Sequence, residues 1–168
     1  TLAAKLKMIA HHGQSKRYYH DVVGCNSRLD AVQAAILDIK LKHLDGYIGA
    51  RRKAADYYDT AFANHAKITT PYRAANNKHV FHQYTLILDG VDRDGLHSFL
   101  AENSVPSMIY YPVPCNKQKM FDAFGGADYA LPVTDKLTDK VISLPIHTEL
   151  DEEQQQYIIN AVLSFVNR

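Results

Sequence analysis

Asn26 and Arg28 are the residues of this chain best suited to hold an anion. They sit in Gly24-Cys25-Asn26-Ser27-Arg28-Leu29-Asp30, directly before Gln33-Ala34-Ala35-Ile36-Leu37. A glycine turn there runs into a helix start, and a helix N-terminus offers unpaired N–H groups and a positive dipole end. Arg28 adds a planar fork that fits a carboxylate or a phosphate. The competing reading is local capping by these polar residues plus a surface ion pair.

Tyr110-Tyr111-Pro112-Val113-Pro114 is the second candidate. Two tyrosines at a strand end, before a proline-braced loop, can present rings and hydroxyls to a ligand. Alternatively one ring is core and the other surface, because adjacent strand residues face opposite ways. His11, His12, His20 and Cys25 raise a metal reading, but their spacing fits no zinc pattern, and surface or packing roles compete. There is no nucleophile elbow, no GxGxxG and no phosphate-binding P-loop motif.

Helices and strands must position these groups. Leu2, Leu6 and Ile9 are spaced as a helix face, and Gly13 supplies a stop. Ser27 is expected to cap a second helix, with Asp30 completing a capping box. Leu29, Val32, Ile36, Ile39 and then His43 or Leu44 mark its apolar face, and Gly46 kinks or ends it. Helix resumes through Ala50, Ala54, Tyr57, Tyr58, Ala61 and Phe62, closed by Pro71. Residues 79–88 alternate as a strand, with Asp89-Gly90 as the turn after it. A helix is expected over 93–102 with Leu96, Phe99 and Leu100 inward. A second strand is expected over 105–111, cut off by Pro112 and Pro114. Gly125-Gly126 reads as a loop, Pro132 as the first turn of a short helix and 141–144 as a third strand. Asp151 with Gln154 opens the last helix, whose stripe is Ile158, Val162 and Phe165.

The expected fold class is therefore α/β, with a small α+β domain: long helices packed with a three-stranded sheet. Residues 1–65 form a helical segment and 66–168 the α+β domain. The chain has 168 residues, 46% hydrophobic and 22% charged, with a net charge of +1. This is globular composition without the basic excess of a nucleic-acid binder, despite Lys16-Arg17-Tyr18-Tyr19-His20. No apolar run approaches the ~20 residues of a membrane span. Cys25 and Cys115 make no CxxC pair, so a cytoplasmic location is expected. Thr1 is not a methionine and a helix face begins at once, which points to a piece of a longer protein.

Taken in order, a longer series of motifs resembles the C-terminal half of the DegT/DnrJ type of PLP-dependent nucleotide-sugar aminotransferases. The series is His12-Gly13, Gly24-x-Asn26-x-Arg28-Leu29-Asp30, Gln33 to Leu37, Lys40-Leu41, Arg51-Arg52, His82-Gln83-Tyr84, Tyr111-Pro112-x-Pro114, Gln118 and Ser143-Leu144-Pro145. Within that family the chain looks most like enzymes that aminate a 3-keto group on a UDP-linked acetamido-sugar uronate. The resemblance implies the C-terminal domain of a fold-type-I aminotransferase that makes amino sugars for polysaccharide. It also implies pyridoxal 5'-phosphate as cofactor, glutamate as amino donor, and a homodimer whose sites are built from both subunits.

By the same resemblance Asn26 reaches the cofactor phosphate of the partner subunit and Arg28 lies near the substrate. Tyr110, Tyr111 and Gln118 line the sugar-nucleotide pocket, and many relatives carry histidine where this chain has Tyr110. Residues 1–65 would bridge from a large domain. The Schiff-base lysine and the acid that pairs with the pyridine nitrogen lie upstream in the family, so no catalytic residue is expected here and the chain alone should be inactive. The alternative is a non-catalytic regulatory or binding module that keeps the aminotransferase-like fold.

Overall fold

Helix ends carry much of the sequence's structural information. In the computed structural model, which describes residues 1–125 and 129–168 but not the Phe124 side chain, most of them fall where the caps lie. Of the expected Gly125-Gly126 loop, Gly126 lies outside the described residues. Gly125 takes φ +67 and closes a 3-10 turn over Lys119–Phe124. The chain divides into two compact units, Thr1–Leu44 and Asp45–Arg168.

The first unit opens with α1 (Leu2–Ala10), capped by the Thr1 hydroxyl. His12 and Gly13 then both take positive φ, which ends the helix. A short antiparallel ribbon follows, β1 (Gln14–Lys16) with β2 (Tyr19–His20). An extended stretch leads to α2 (Ala31–Leu41). The cap of α2 is Asp30, not Ser27: its carboxylate accepts from Gln33 N at 2.9 Å. Asp30 wins because its carboxylate sits three residues before that N–H and favours the positive helix end. The helix ends at a turn over residues 42–43 instead of at Gly46, which lies inside the next helix. The apolar face of α2 exists as a pattern but stays exposed, Val32 at 71%. Among the described residues of this unit, only Gly13 is buried.

The second unit is built on a true core. α3 (Leu44–Phe62) buries Ala54, Ala55, Tyr58 and Phe62. The expected helical segment 1–65 therefore spans the first unit and α3, whose inner face belongs to this core. The sheet is antiparallel in the order β3 (Ile68–Thr69), β4 (Tyr84–Leu88), β5 (Val141–Leu144), with Leu86 opposite Ile142. On β4, Tyr84, Leu86 and Leu88 are buried and alternate with half-buried Thr85 and Ile87. α4 (Arg93–Glu102), capped by Asp92, and α6 (Glu152–Val166) pack together, with Phe99 and Phe165 ring centroids 5.4 Å apart. The capping box of α6, Asp151 with Gln154, forms as expected, and Pro132 starts α5 (Pro132–Thr138). No helix among the described residues is long and apolar enough to cross a membrane.

The sheet has three strands, but not the three expected. Residues 105–111 give β5 a single bridge, Met108 to Ser143, with N···O distances of 3.0 and 2.7 Å. Pro106 lacks the N–H that would extend this pairing. The third strand is instead β3, too short for its periodicity to show. The strand expected from residue 79 starts only at Tyr84. Phe81 takes φ +49, its N–H bonds His79 Nδ1 at 2.9 Å, and Arg51 Nη1 donates to the carbonyls of Phe81, His82 and Ile146 at 3.0, 3.3 and 3.0 Å. Those backbone groups are thus unavailable to a ladder.

Two expected outcomes test this core. Leu86 is fully buried, so Leu86→Ala should cost about 2–5 kcal/mol in urea unfolding. Tyr58 and Tyr84 are buried, and burial is the main cause holding both phenols above their ordinary value of 10.0; the bond from Tyr84 to Asp59 at 2.6 Å adds to its shift. A group whose folded pKa is raised keeps its proton in the folded state after the unfolded chain has lost it. Stability is therefore full below about pH 10 and falls as pH rises above it. Tyr84→Phe should flatten that alkaline slope, measured as unfolding midpoint against pH.

Candidate functional site

Asn26 and Arg28 owe their position to the end of α1, not to the mouth of α2. The last carbonyls of a helix lack intrahelical partners. Here Ile9 O accepts from Cys25 N and Ala10 O from Ser27 N, both at 2.9 Å, and His12 N donates to Cys25 O at 2.9 Å. Asn26 makes an antiparallel bridge with His11. Two glycines permit this approach. A Cβ on Gly24 would run into Gly13 N and come within 2.5 Å of Ile9 O, and one on Gly13 would run into Val22 O.

The mouth of α2 is not an anion site, because the Asp30 carboxylate already occupies it. In extended backbone, residues two apart share a face. Arg28 Nε accordingly donates to Asn26 Oδ1 at 3.1 Å. That spacing is the signal the helix-mouth expectation overlooked. Asn26 Nδ2 and the two Arg28 Nη groups have no partner among the described residues. Together they form an exposed set made only of donors, which fits a phosphate or carboxylate. The Asn26 Nδ2 donor suits a phosphate such as that of pyridoxal phosphate, and the Arg28 Nη groups remain for a second anion. Beside it lies a basin of about 1020 Å³ lined by Lys5, Lys7, Lys16, Arg17 and Arg28 among others.

The histidines serve other ends. His20 Nδ1 lies 2.7 Å from His12 O, and since a carbonyl only accepts, Nδ1 carries the proton. Among the described residues no three His, Cys, Asp or Glu side chains come together to hold a metal.

The other candidates belong to the second unit. Tyr110 and Tyr111 stand in irregular chain after the Met108 bridge, joined by a cis peptide bond, with ring centroids 5.6 Å apart. Neither is core: Tyr110 is half-buried and Tyr111 is 69% exposed. Both line one cleft of about 310 Å³ with Val113, Thr134 and Leu137. Tyr110 also lines a second cleft, of about 230 Å³, with His82, Gln83 and Ser143. Gln118 is exposed and lines neither cleft, and its side-chain Nε2 lies a long 3.5 Å from Val113 O. The structure thus brings together Asn26 with Arg28, and Tyr110 with Tyr111. Sequence reasoning placed Arg51 in a motif but missed its work of holding the walls of the second cleft.

Residues 1–163 match the DegT/DnrJ/EryC1/StrS aminotransferase family. The chain belongs to that family. It is 41% identical over 98% of its length to a "Pleiotropic regulatory protein" of Geobacillus stearothermophilus. It is 40% identical over 96% of its length to the UDP-2-acetamido-2-deoxy-3-oxo-D-glucuronate aminotransferase of Pseudomonas aeruginosa. Among solved structures, DesV of S. venezuelae, in complex with a ketimine intermediate, superposes with a TM-score of 0.91 at 33% identity, covering 99% of this chain. The fold is therefore that of a sugar-aminotransferase C-terminal part. The chain spans 44%, 43% and 44% of these three proteins respectively.

The glycine contact gives a direct test. Gly24→Ala should separate the 24–27 segment from α1, so the Cys25 and Ser27 amides should lose their protection in hydrogen exchange while those of β4 keep theirs.

Proposed function

We propose that this chain is the C-terminal part of a PLP-dependent sugar-nucleotide aminotransferase that transfers an amino group from glutamate to a keto-sugar nucleotide. The observation that carries the reading is the donor pair of Asn26 and Arg28, held on the end of α1 in a member of this family. The name of the Pseudomonas relative favours a UDP-linked 3-keto acetamido-sugar uronate as substrate, and so a role in polysaccharide biosynthesis in the cytoplasm.

Asn26, through Nδ2, would hold the phosphate of the cofactor carried by the partner subunit of a homodimer. The free end of the Arg28 fork pairs with the substrate carboxylate, which a planar guanidinium suits better than an ammonium. Tyr110 and Tyr111 offer rings and hydroxyls to the sugar nucleotide; Gln118, which lines neither of their clefts, is the third contact the family resemblance implies. Pyridoxal phosphate supplies, when bound, the electron sink that lets an amino group move between carbons. Residues 1–65 serve as the bridge from a large domain that carries the Schiff-base lysine, and residues 66–168 as the small domain. Alone, the chain is inactive.

The relative named as a pleiotropic regulator, 41% identical, favours a second reading, a regulatory module with this fold. One experiment separates them. The full-length protein with pyridoxal phosphate should absorb at about 400–430 nm through its lysine linkage, and the 168-residue chain should not. Added glutamate should then bleach that band and release 2-oxoglutarate. A band formed by the chain alone would overturn the assignment of the lysine to the large domain. A full-length protein that forms no band and does not consume glutamate would favour the regulatory reading.

A further inference from the structure

We infer that Arg28 is a positioning residue for Asn26: its Nε–H fixes which end of the Asn26 amide faces outward. This rests on the reading of Asn26 as a phosphate ligand and adds to it the residue that makes the asparagine a donor.

The backbone around Asn26 is already fixed on both sides. Cys25 N is bonded to Ile9 O and Ser27 N to Ala10 O. What remains free is the side chain. The terminal torsion of an asparagine is broad and roughly two-fold, so an exposed amide presents either its oxygen or its nitrogen. Only the nitrogen suits a phosphate, since the oxygen would face another acceptor. Arg28 removes the ambiguity. A guanidinium has donors and no acceptor, so the Asn26 atom 3.1 Å from Nε must be Oδ1. Nδ2 is thereby turned away with both N–H groups available. The positive charge on Arg28 also polarises the amide and strengthens those donors.

The contact depends on the two-residue spacing in extended chain, which puts both side chains on one face. It uses Nε and leaves both Nη groups without a partner among the described residues. Arg28 can therefore position Asn26 and still offer its fork to a second anion.

The test uses the full-length protein and two probes, pyridoxal phosphate and pyridoxal, which lacks the phosphate. Apoprotein is titrated with each, and cofactor absorbance gives the affinity. Asn26→Ala should weaken pyridoxal phosphate binding at least about tenfold and leave pyridoxal unchanged. Arg28→Lys, which keeps the charge but loses the Nε donor, should weaken pyridoxal phosphate binding about threefold to tenfold. Asn26→Ala/Arg28→Lys should bind no more weakly than Asn26→Ala alone, because Arg28 acts through the amide. Multiplying effects in the double variant would show that Arg28 meets the phosphate directly and would overturn the inference. An unchanged Arg28→Lys beside a weakened Asn26→Ala would overturn it as well. If Asn26→Ala itself binds pyridoxal phosphate normally, the phosphate-ligand reading fails and the positioning role falls with it.

Discussion

The first unit depends on one interaction: the unpaired carbonyls at the end of α1 are satisfied by the backbone of residues 25–27. Elsewhere in the molecule apolar burial does this work. In Thr1–Leu44 of this chain it does not, because only Gly13 is buried among the described residues and Leu2, Leu6, Val32 and Ile36 are exposed. Backbone hydrogen bonds tolerate little displacement, and a Cβ at Gly24 or Gly13 would leave no room for them. The two glycines are thus the condition for Asn26 and Arg28 to lie where they do.

The second unit is held in the opposite way. Tyr58, Tyr84, Leu86, Leu96, Ile142, Ile159 and Val162 form a continuous core. Polar side chains then fix what burial leaves loose. Arg51 gathers the carbonyls of Phe81, His82 and Ile146, so two turns distant in sequence stay together. Arg73 pairs with Asp56 and Asp59 while its guanidinium lies 4.6 Å from the centre of the Phe81 ring. Tyr84 joins the same group through Asp59. A buried donor or acceptor left alone would be costly, so these bonds secure the strained turn at Phe81 against the extended form its sequence favours.

What the sequence made legible follows from how local each signal is. Pro132, Asp151 with Gln154, and the apolar stripe of α6 act within one or two turns, and all appear where expected. Strand limits depend on partners far away. Residues 79–83 alternate as a strand should, yet Arg51 and His79 take their backbone groups. Residues 105–111 carry strand-forming types, yet they contribute one bridge to an edge that Pro106 cannot extend. β3 is two residues long and leaves no pattern to read. At the candidate site the residue types were legible and the geometry was not. Asn26 and Arg28 suggested a helix mouth, whereas Asp30 fills that mouth and the pair stands on extended chain before it.

Composition hides one further feature of that site. The net charge of the whole chain is +1, but Thr1–Leu44 carries seven Lys and Arg against three Asp. The rest of the sequence is correspondingly acidic. Charge of one sign gathered around a concave surface raises the local concentration of ligands of the other sign and speeds their arrival, an effect that weakens with salt. The basin with Lys5, Lys7, Lys16, Arg17 and Arg28 in its lining has this character. Under the proposed function both the cofactor phosphate and the nucleotide diphosphate are anions. The long-range field then selects for charge, and the oriented Asn26 amide with the Arg28 fork selects for geometry. The field alone would attract any polyanion, and the two side chains alone would wait longer for the right one. Their placement in the same unit lets one segment of chain contribute both.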